Sequence, residues 1–508
     1  MDVALLAREI QQFIAASSSG AVIEDGEILF DLSESKYSLS TDNGRCVVHF
    51  WSSERNCVRR VLDVAAKNGT LRLQVQRLGK PKPTTLEICS DRDRRPPSAK
   101  HSQRATYEHL LERVLRRTFP GFTAEHPKSS VDLERSFGPI YARGTLHKGN
   151  TVFAVIGVNA EELQASVDGV LTIGLLWLDY LREHEAGRKL VAGLKIFVPP
   201  ERSPIARERM AHLNHHAASF ELYEFDQKAE VAELMDASDR GNIDTRLVHC
   251  PNQQAALERF KPSILEIRRL VPECDVVVLS PSELSFRVHG LEFARARIAG
   301  SIYSSQEIVF GVGPSETVLN SESSALFGEI VHRLCESRQS GPARPADILW
   351  RMAPERWLES LIVRDVIALD YRLDPRWVYS QVPAFAASDR AMIDVLTATT
   401  DGRLAVLELK ADEDLHLPMQ GLDYWARVSW HHTRGEFQKF GYFNGATLSE
   451  KPPILMLVAP ALRIHPTTDK LLRYFSTEID WELVAVNEDW RDGVKTVFRK
   501  RRNSRIEY

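Results

Sequence analysis

Asp394, Glu408 and Lys410 are the residues of this chain whose types and spacing could do chemistry together. Asp394 lies in AMIDVLTAT, and Glu408 and Lys410 lie in RLAVLELKA. Between the two runs stands Asp401-Gly402, a turn dipeptide flanked by aliphatic and β-branched residues, which predicts a hairpin. Glu408 and Lys410 are two apart and so project from one face of their strand, and the hairpin can bring Asp394 beside them. The other positions of that strand are aliphatic, and ions set among them are expensive unless they are paired or hold a metal. Two carboxylates with a backbone carbonyl and waters make a hard oxygen shell that suits Mg²⁺, with Mn²⁺ as a substitute. A lysine beside it could position or help deprotonate an attacking water and offset phosphate charge. The plainer arrangement of the same residues is an exposed hairpin whose Glu and Lys face solvent.

These side chains need elements to position them. A helix reading ERWLESLIVRDVIAL precedes the hairpin and carries Glu355 and Glu359 one turn apart. A second helix follows it and carries Gln420-Gly-Leu-Asp-Tyr424. Beyond that, LMLVAPA from Leu455 and WELVAV from Trp481 read as strands separated by a polar helix.

Asp394, Glu408-Leu409-Lys410 and Gln420-x-x-x-Tyr424, with an acidic helix before them, resemble the PD-(D/E)xK nuclease superfamily, in particular its RecB-type members. The resemblance covers about residues 350–490. It implies a restriction-endonuclease-like α/β/α fold with Asp394, Glu408 and the Leu409 carbonyl as metal ligands. Lys410 would position the water, Gln420 and Tyr424 would support the scissile phosphate, and Glu359, or Glu355 in its place, would orient a metal-bound water. Phe327-Gly328-Glu-Ile-Val-His332 looks like the G-x-x-x-H motif of RecB-type enzymes, although a lone histidine such as His332 is more often a surface or core residue. The pair His431-His432 reads as solvent-facing helix. Ile393 stands where the superfamily has a proline before the aspartate. The implied activity is that of a Mg²⁺-dependent nuclease, a phosphodiesterase that hydrolyses nucleic acid, DNA foremost, by metal-activated water. A protein of another class, a non-catalytic nucleic-acid-binding scaffold built of two nuclease-like folds, is the alternative.

The second fold comes from a search for internal repeats. AVIGV at 154–158 matches AVLEL at 405–409, and Leu178-Asp179-Tyr180 matches Leu422-Asp423-Tyr424. LKIFVPP from Leu194 matches LMLVAPA, and FELYEF from Phe220 matches WELVAV. The offsets are all about 245–260 positions and keep their order, as a tandem duplication would. On this matching Glu408 falls opposite Gly157, Lys410 opposite Asn159, and Asp394 opposite Arg143 or Ala142. Gln420 meets Leu176, and Tyr424 keeps a tyrosine in Tyr180. The first copy is therefore expected to be degenerate.

The expected fold class is α/β: tandem restriction-endonuclease-like units, each preceded by a helix and a small β-rich module. The boundaries read 1–90 for helix and β module, 105–249 for the degenerate domain, 250–338 for helix and smaller β module, and 347–508 for the nuclease domain with a basic tail. Polar, proline-bearing stretches at 91–104 and 338–346 read as joints.

A chain of 508 residues, 43% hydrophobic and 26% charged, has the composition of an ordinary globular protein. No apolar run reaches the ~20 residues of a membrane span, and the N-terminus lacks signal-peptide character, so no membrane is expected and the location reads as cytoplasmic. Six cysteines without a CxxC pair suggest neither zinc nor disulfides. The net charge of −4 gives no global field for a polyanion, so a nucleic-acid partner must be held by local clusters. Lys500, Arg501 and Arg502 in the tail, Arg94 and Arg95 in the first joint, and Arg116 on the helix after it are the candidates for phosphate contact. A homodimer is compatible with all of this.

Overall fold

The computed structural model describes the chain apart from residues 1–2, 16, 18–19, 25–26, 33–34, 42–43, 52–55, 68, 77–82, 91–96, 133–136, 241–242, 244, 299–305, 312–315, 342–346, 386–391 and 503–508. Arg94 and Arg95 lie outside the described residues. The protein is mixed α/β and divides into two compact units, each assembled from two distant segments: residues 1–101 with 251–354, and residues 102–250 with 355–508. The four consecutive segments read from the sequence thus associate first with third and second with fourth.

In the first unit, the helix Val3–Ala15 buries Leu6, Ile10 and Ile14 against a seven-stranded antiparallel sheet. The sheet includes Cys46–Trp51 and Thr70–Gln76, in which alternate residues such as Val48, Phe50, Leu71 and Leu73 turn inward. The second segment is a five-stranded antiparallel sheet covered by the helices Lys261–Leu270 and Ser324–Ser337. Arg338, expected in a joint, is instead buried, and its guanidinium donates to the carbonyls of His289, Leu349 and Met352.

The second unit contains two sheets. The first half contributes α1 (Pro97–Thr118), β1 (Thr123–Ala124), β2 (Tyr141–Lys148), β3 (Thr151–Val158), α2 (Val170–His184), β4 (Leu190–Val198), α3 (Pro204–Met210), β5 (Ser219–Asp226) and β6 (Val231–Met235). The helix expected from Tyr107 thus begins earlier, with Pro97 at its first position, where a missing N–H costs nothing. The second half contributes β7 (Arg246–Leu247), α4 (Pro354–Arg364), β8 (Leu373–Phe385), β9 (Met392–Thr399), β10 (Leu404–Leu409), α5 (Leu417–Thr433), β11 (Ile454–Pro460), α6 (Thr468–Leu472), β12 (Asp480–Val486) and β13 (Thr496–Arg501).

The two sheets have the same strand order. In the first, β1 to β6 lie side by side in chain order; in the second, β8 to β13 do, with β7 added at the β8 edge. The senses agree as well: the second and third strands are antiparallel, the third, fourth and fifth are parallel, and the sixth returns antiparallel. One continuous apolar core joins the halves, with Leu171, Leu175 and Leu178 of α2 and Met419, Leu422 and Trp425 of α5 among its members. A single antiparallel bridge between Leu213 and Phe475 links them further.

Register corrects the expected matching by one residue. Ala154, Ile156 and Val158 belong to the core on the α2 side, whereas a Cβ at Gly157 would strike Tyr107 and Leu111 of α1 on the opposite face. Glu408 lies on the α5 side, its Cβ 3.6 Å from the place of a Cβ at Gly421. Gly157 therefore cannot be its counterpart, because a slip of one residue turns every side chain to the other face. Pairing β4 with β11 through Pro199 and Pro460 aligns Leu194 with Leu455, whose neighbours are Ala154 and Val406. Glu408 then corresponds to Ile156 and Lys410 to Val158. Ile156 pairs with Arg143, which makes Arg143, rather than Ala142, the counterpart of Asp394.

Candidate active site

The hairpin closes at Gly402, whose φ is +83° and where any Cβ would lie 2.1 Å from the Thr447 carbonyl oxygen, so glycine is required there. From the turn, β9 and β10 pair from Ala398 with Leu404 to Val395 with Leu407. One step further Asp394 comes level with Glu408, and there the Leu409 N–H donates to Asp394 Oδ2 at 2.9 Å. The Lys410 N–H points the other way, to the Val458 carbonyl of β11 at 2.9 Å. Since the N–H and C=O of a strand residue point to the same side, the Leu409 carbonyl is directed toward β9, past the end of the ladder. On the far side of Asp394, Gln381 of β8, between the Ser380–Val395 and Val382–Ile393 pairs, has a φ of +54°, a conformation that costs a non-glycine residue about 1–3 kcal/mol.

Glu408 is 2% exposed, and its Oε2 has no hydrogen-bond partner among the described residues. Lys410 Nζ lies 3.5 Å from Glu408 Oε1 and 3.6 Å from Asp414 Oδ2. Burial pushes the Glu408 carboxyl well above the usual carboxylate range, and the charge of Asp394 pushes it further. Burial raises Asp394 too, against the Leu409 N–H and Lys410, which favour its anion. For Lys410, burial acts downward but is outweighed by Glu408, Glu355, Asp414 and Asp394, which hold the ammonium above its ordinary value. The arrangement is a buried cluster of carboxyl groups around the Lys410 ammonium, with Arg356 also acting on Asp394.

Of the two helix glutamates, the structure turns Glu355 to this group. Its carboxyl is raised by burial first, and it feels Lys410, Asp394 and Asp414. Glu359 is buried elsewhere: its Oε2 accepts from Arg356 Nη1 and from Gln381 Nε2, both at 2.8 Å. Of the two, Glu355 is thus the one whose charge interacts with Lys410 and Asp394. Helix α5 comes close to the sheet because position 421 is glycine; a Cβ there would lie 2.5 Å from Leu457 Cδ2. Gln420 and Tyr424 are one turn apart on that helix. The charges of Glu408 and Asp394 act on Tyr424 and, after burial, help hold its phenol protonated. Gln420 Oε1 is buried and has no hydrogen-bond partner among the described residues.

A divalent cation fits the residues present. Glu408 Oε2 has no hydrogen-bond partner among the described residues, Asp394 lies level with it, and the Leu409 carbonyl faces the same side, all three hard oxygen donors.

The remaining candidates are placed differently. His332 is exposed, with Glu336 at 3.4 Å along its own helix. His431 is buried, not solvent-facing: its Nδ1 meets Glu436 Oε2 at 2.5 Å and its Nε2 meets Thr245 Oγ1 at 2.9 Å. Lys500 and Arg501 lie in β13 rather than beyond the last strand. Lys500 pairs with Asp469 at 2.5 Å, Arg501 with Glu482 at 3.1 Å, and Arg502 donates to the Phe475 carbonyl at 2.8 Å. Arg116 pairs with Glu112 at 2.5 Å on its own helix.

Sequence reasoning missed Asp414, Gln381 and Arg209. Asp414 stands four residues after Lys410, a spacing that could have marked it. Arg209 of α3 makes a two-pronged ion pair with Asp423 of α5, at 2.9 and 2.7 Å, between the motif residues Gln420 and Tyr424. No family model, no curated protein and no solved structure matches this chain.

Proposed function

We propose that the second half of the larger unit is a metal-dependent nuclease of the PD-(D/E)xK kind, hydrolysing phosphodiester bonds in nucleic acid, DNA foremost. The observation that carries this reading is the buried Glu408 Oε2 beside Asp394, without a hydrogen-bond partner among the described residues, with Lys410 3.5 Å from the same carboxylate. Asp394, Glu408 and the Leu409 carbonyl would hold Mg²⁺ or Mn²⁺. Such an ion supplies Lewis acidity that stabilises charge building on the phosphoryl oxygens. Lys410, kept protonated by the carboxylates around it, acts as a donor: it orients water or a phosphate oxygen and offsets its charge, but cannot serve as the base. Glu355, with its raised carboxyl, is the group suited to exchange a proton with the attacking water. Gln420 and Tyr424 offer an amide and a phenol to the phosphate from α5.

The first half has the same strand order without these charges, which supports a degenerate copy that buttresses α5. The test is cleavage of supercoiled plasmid, linear duplex, single-stranded DNA and RNA with Mg²⁺, Mn²⁺ or EDTA, beside Asp394→Ala and Lys410→Ala. Metal-dependent cleavage by the wild type alone supports the enzyme. Binding without cleavage under every condition overturns it in favour of a nucleic-acid-binding scaffold.

A further inference from the structure

Helix α1 buries Tyr107, Leu111, Val114 and Leu115 against the first sheet, which leaves Glu108, His109 and Glu112 on its outer side. The loop that follows brings His126 back onto them. The ligand atoms of His109, Glu112 and His126 all lie within 4.8 Å of one another. His126 Nδ1 stands 2.6 Å from Glu112 Oε2, and the two imidazole rings have their centroids 4.9 Å apart. The other ring nitrogen of His126 faces a fourth residue, with Nε2 3.8 Å from Glu108 Oε2. Glu108 is itself fixed, since its Oε1 accepts the Ser129 N–H at 2.6 Å.

We propose that His109, Glu112 and His126 form a second metal site, one for a transition-metal dication and best suited to Zn²⁺. Two imidazoles and one carboxylate are the donor set of a three-ligand zinc site with an open fourth position, whereas Mg²⁺ takes oxygen ligands. The arrangement of His126 adds a second indication. A histidine that ligates zinc through one nitrogen commonly gives its other N–H to a carboxylate, and Glu108 Oε2 faces Nε2 at 3.8 Å, a gap that a small rotation of the ring onto the metal would close. Zinc entering between Glu112 Oε2 and His126 Nδ1 takes the place of the hydrogen bond between them, and the neutral ring then carries its one proton on Nε2, on the side of Glu108. Arg116, which pairs with the other Glu112 oxygen, is two-thirds exposed and can keep that contact while Oε2 binds the metal. The site ties α1 to the loop before β2, in the half whose sheet lacks the carboxylate pair. With three protein ligands the site keeps its fourth position open to water or a ligand, and it stands independently of Asp394 and Glu408.

The experiment is Co²⁺ titration of the full chain in excess Mg²⁺, in a Glu408→Ala background that removes the other centre, read by visible absorption and by Zn²⁺ displacement. One equivalent should give the intense bands of a four-coordinate ion. His109→Ala, an exposed position whose loss leaves the core untouched, and His126→Ala should each weaken binding more than tenfold. Glu108→Gln, which alters only the outer partner, should weaken it about tenfold or more. Circular dichroism separates loss of the site from loss of the fold. Absence of the bands, or Zn²⁺ affinity that both histidine variants leave unchanged, overturns the proposal.

Discussion

Arg143 stands in the first sheet where Asp394 stands in the second, each level with the counterpart position on the next strand, Ile156 in one case and Glu408 in the other. The replacement is a reversal of charge at a buried position. The Arg143 guanidinium donates to the carbonyls of Gly138, Tyr141 and Ser130 and lies 4.7 Å over the ring of Phe137. A fixed cation there opposes a divalent ion in the first sheet while donating to backbone oxygens around it.

Arg143→Ala should therefore act on stability and not on chemistry. Removing a buried charged donor from several carbonyls costs about 1.5–3 kcal/mol. Urea denaturation should show that loss, and cleavage per folded molecule should stay at the wild-type rate. A large fall in rate with stability intact would mean that the first half takes part in the reaction.

Glu408→Gln should abolish cleavage and raise the melting temperature of the metal-free protein. The folded state raises the carboxyls of Glu408 and Asp394, so it binds more protons than the unfolded chain between the ordinary carboxylate range and the raised values. Metal-free stability must fall as pH rises through that window and recover below it, where both states are protonated. Mg²⁺ should offset the penalty in the wild type by binding the folded form alone. Melting curves from pH 4 to 8 with and without Mg²⁺ check this: the variant should give a flatter profile and little gain from the metal. A wild-type profile that rises with pH would contradict the buried pair.

The strands and the carboxylate pair were legible because their signals are local: alternating aliphatic runs, a turn dipeptide, and charges where apolar residues belong. That the two sheets share one strand order followed from the internal repeat. Register did not, because the turn between β2 and β3 is shorter than that between β9 and β10, and aligning AVIGV with AVLEL absorbs the difference as a one-residue slip. Glu355 and Glu359 were indistinguishable in sequence, since one turn of helix separates them and only packing decides which faces Lys410. The partners of the basic tail were hidden for a related reason. Its cations look free in a sequence, yet their partners, Asp469 and Glu482, lie on other elements.

The contact between Arg209 and Asp423 predicts that the halves are energetically coupled through α5. Both oxygens of Asp423 are engaged, Arg209 is nearly buried, and Arg427 on the same helix pairs with Glu208 at 2.9 Å. Breaking one partner of a buried pair typically costs about 3–5 kcal/mol because it strands the other charge. Asp423 is partly exposed, which places Arg209→Ala at the low end, about 3 kcal/mol. In a double-mutant cycle, adding Asp423→Ala should restore part of that loss. Strictly additive effects in urea denaturation would show that the pair does not link the halves.

The last prediction concerns Lys500, Arg501 and Arg502. β13 is the edge strand of its sheet, and basic side chains on an edge discourage pairing with another chain. Each of the three also has an internal partner: Asp469, the buried Glu482 and the Phe475 carbonyl. A phosphate would have to compete with those contacts for the same cations. Changing all three to alanine should lower stability by about 1–2 kcal/mol, the sum expected of partly exposed pairs and one hydrogen bond. Glu482 keeps Arg372 and Arg499 as partners, which limits the damage. Affinity for nucleic acid should change little, and the slope of log affinity against log salt should not flatten. Each phosphate contact contributes about 0.7–0.9 to that slope, so the loss of three would flatten it by about 2 or more, a difference readily measured by anisotropy at several salt concentrations. Such a flattening, with stability unchanged, would show that β13 gives up its internal partners to grip the substrate.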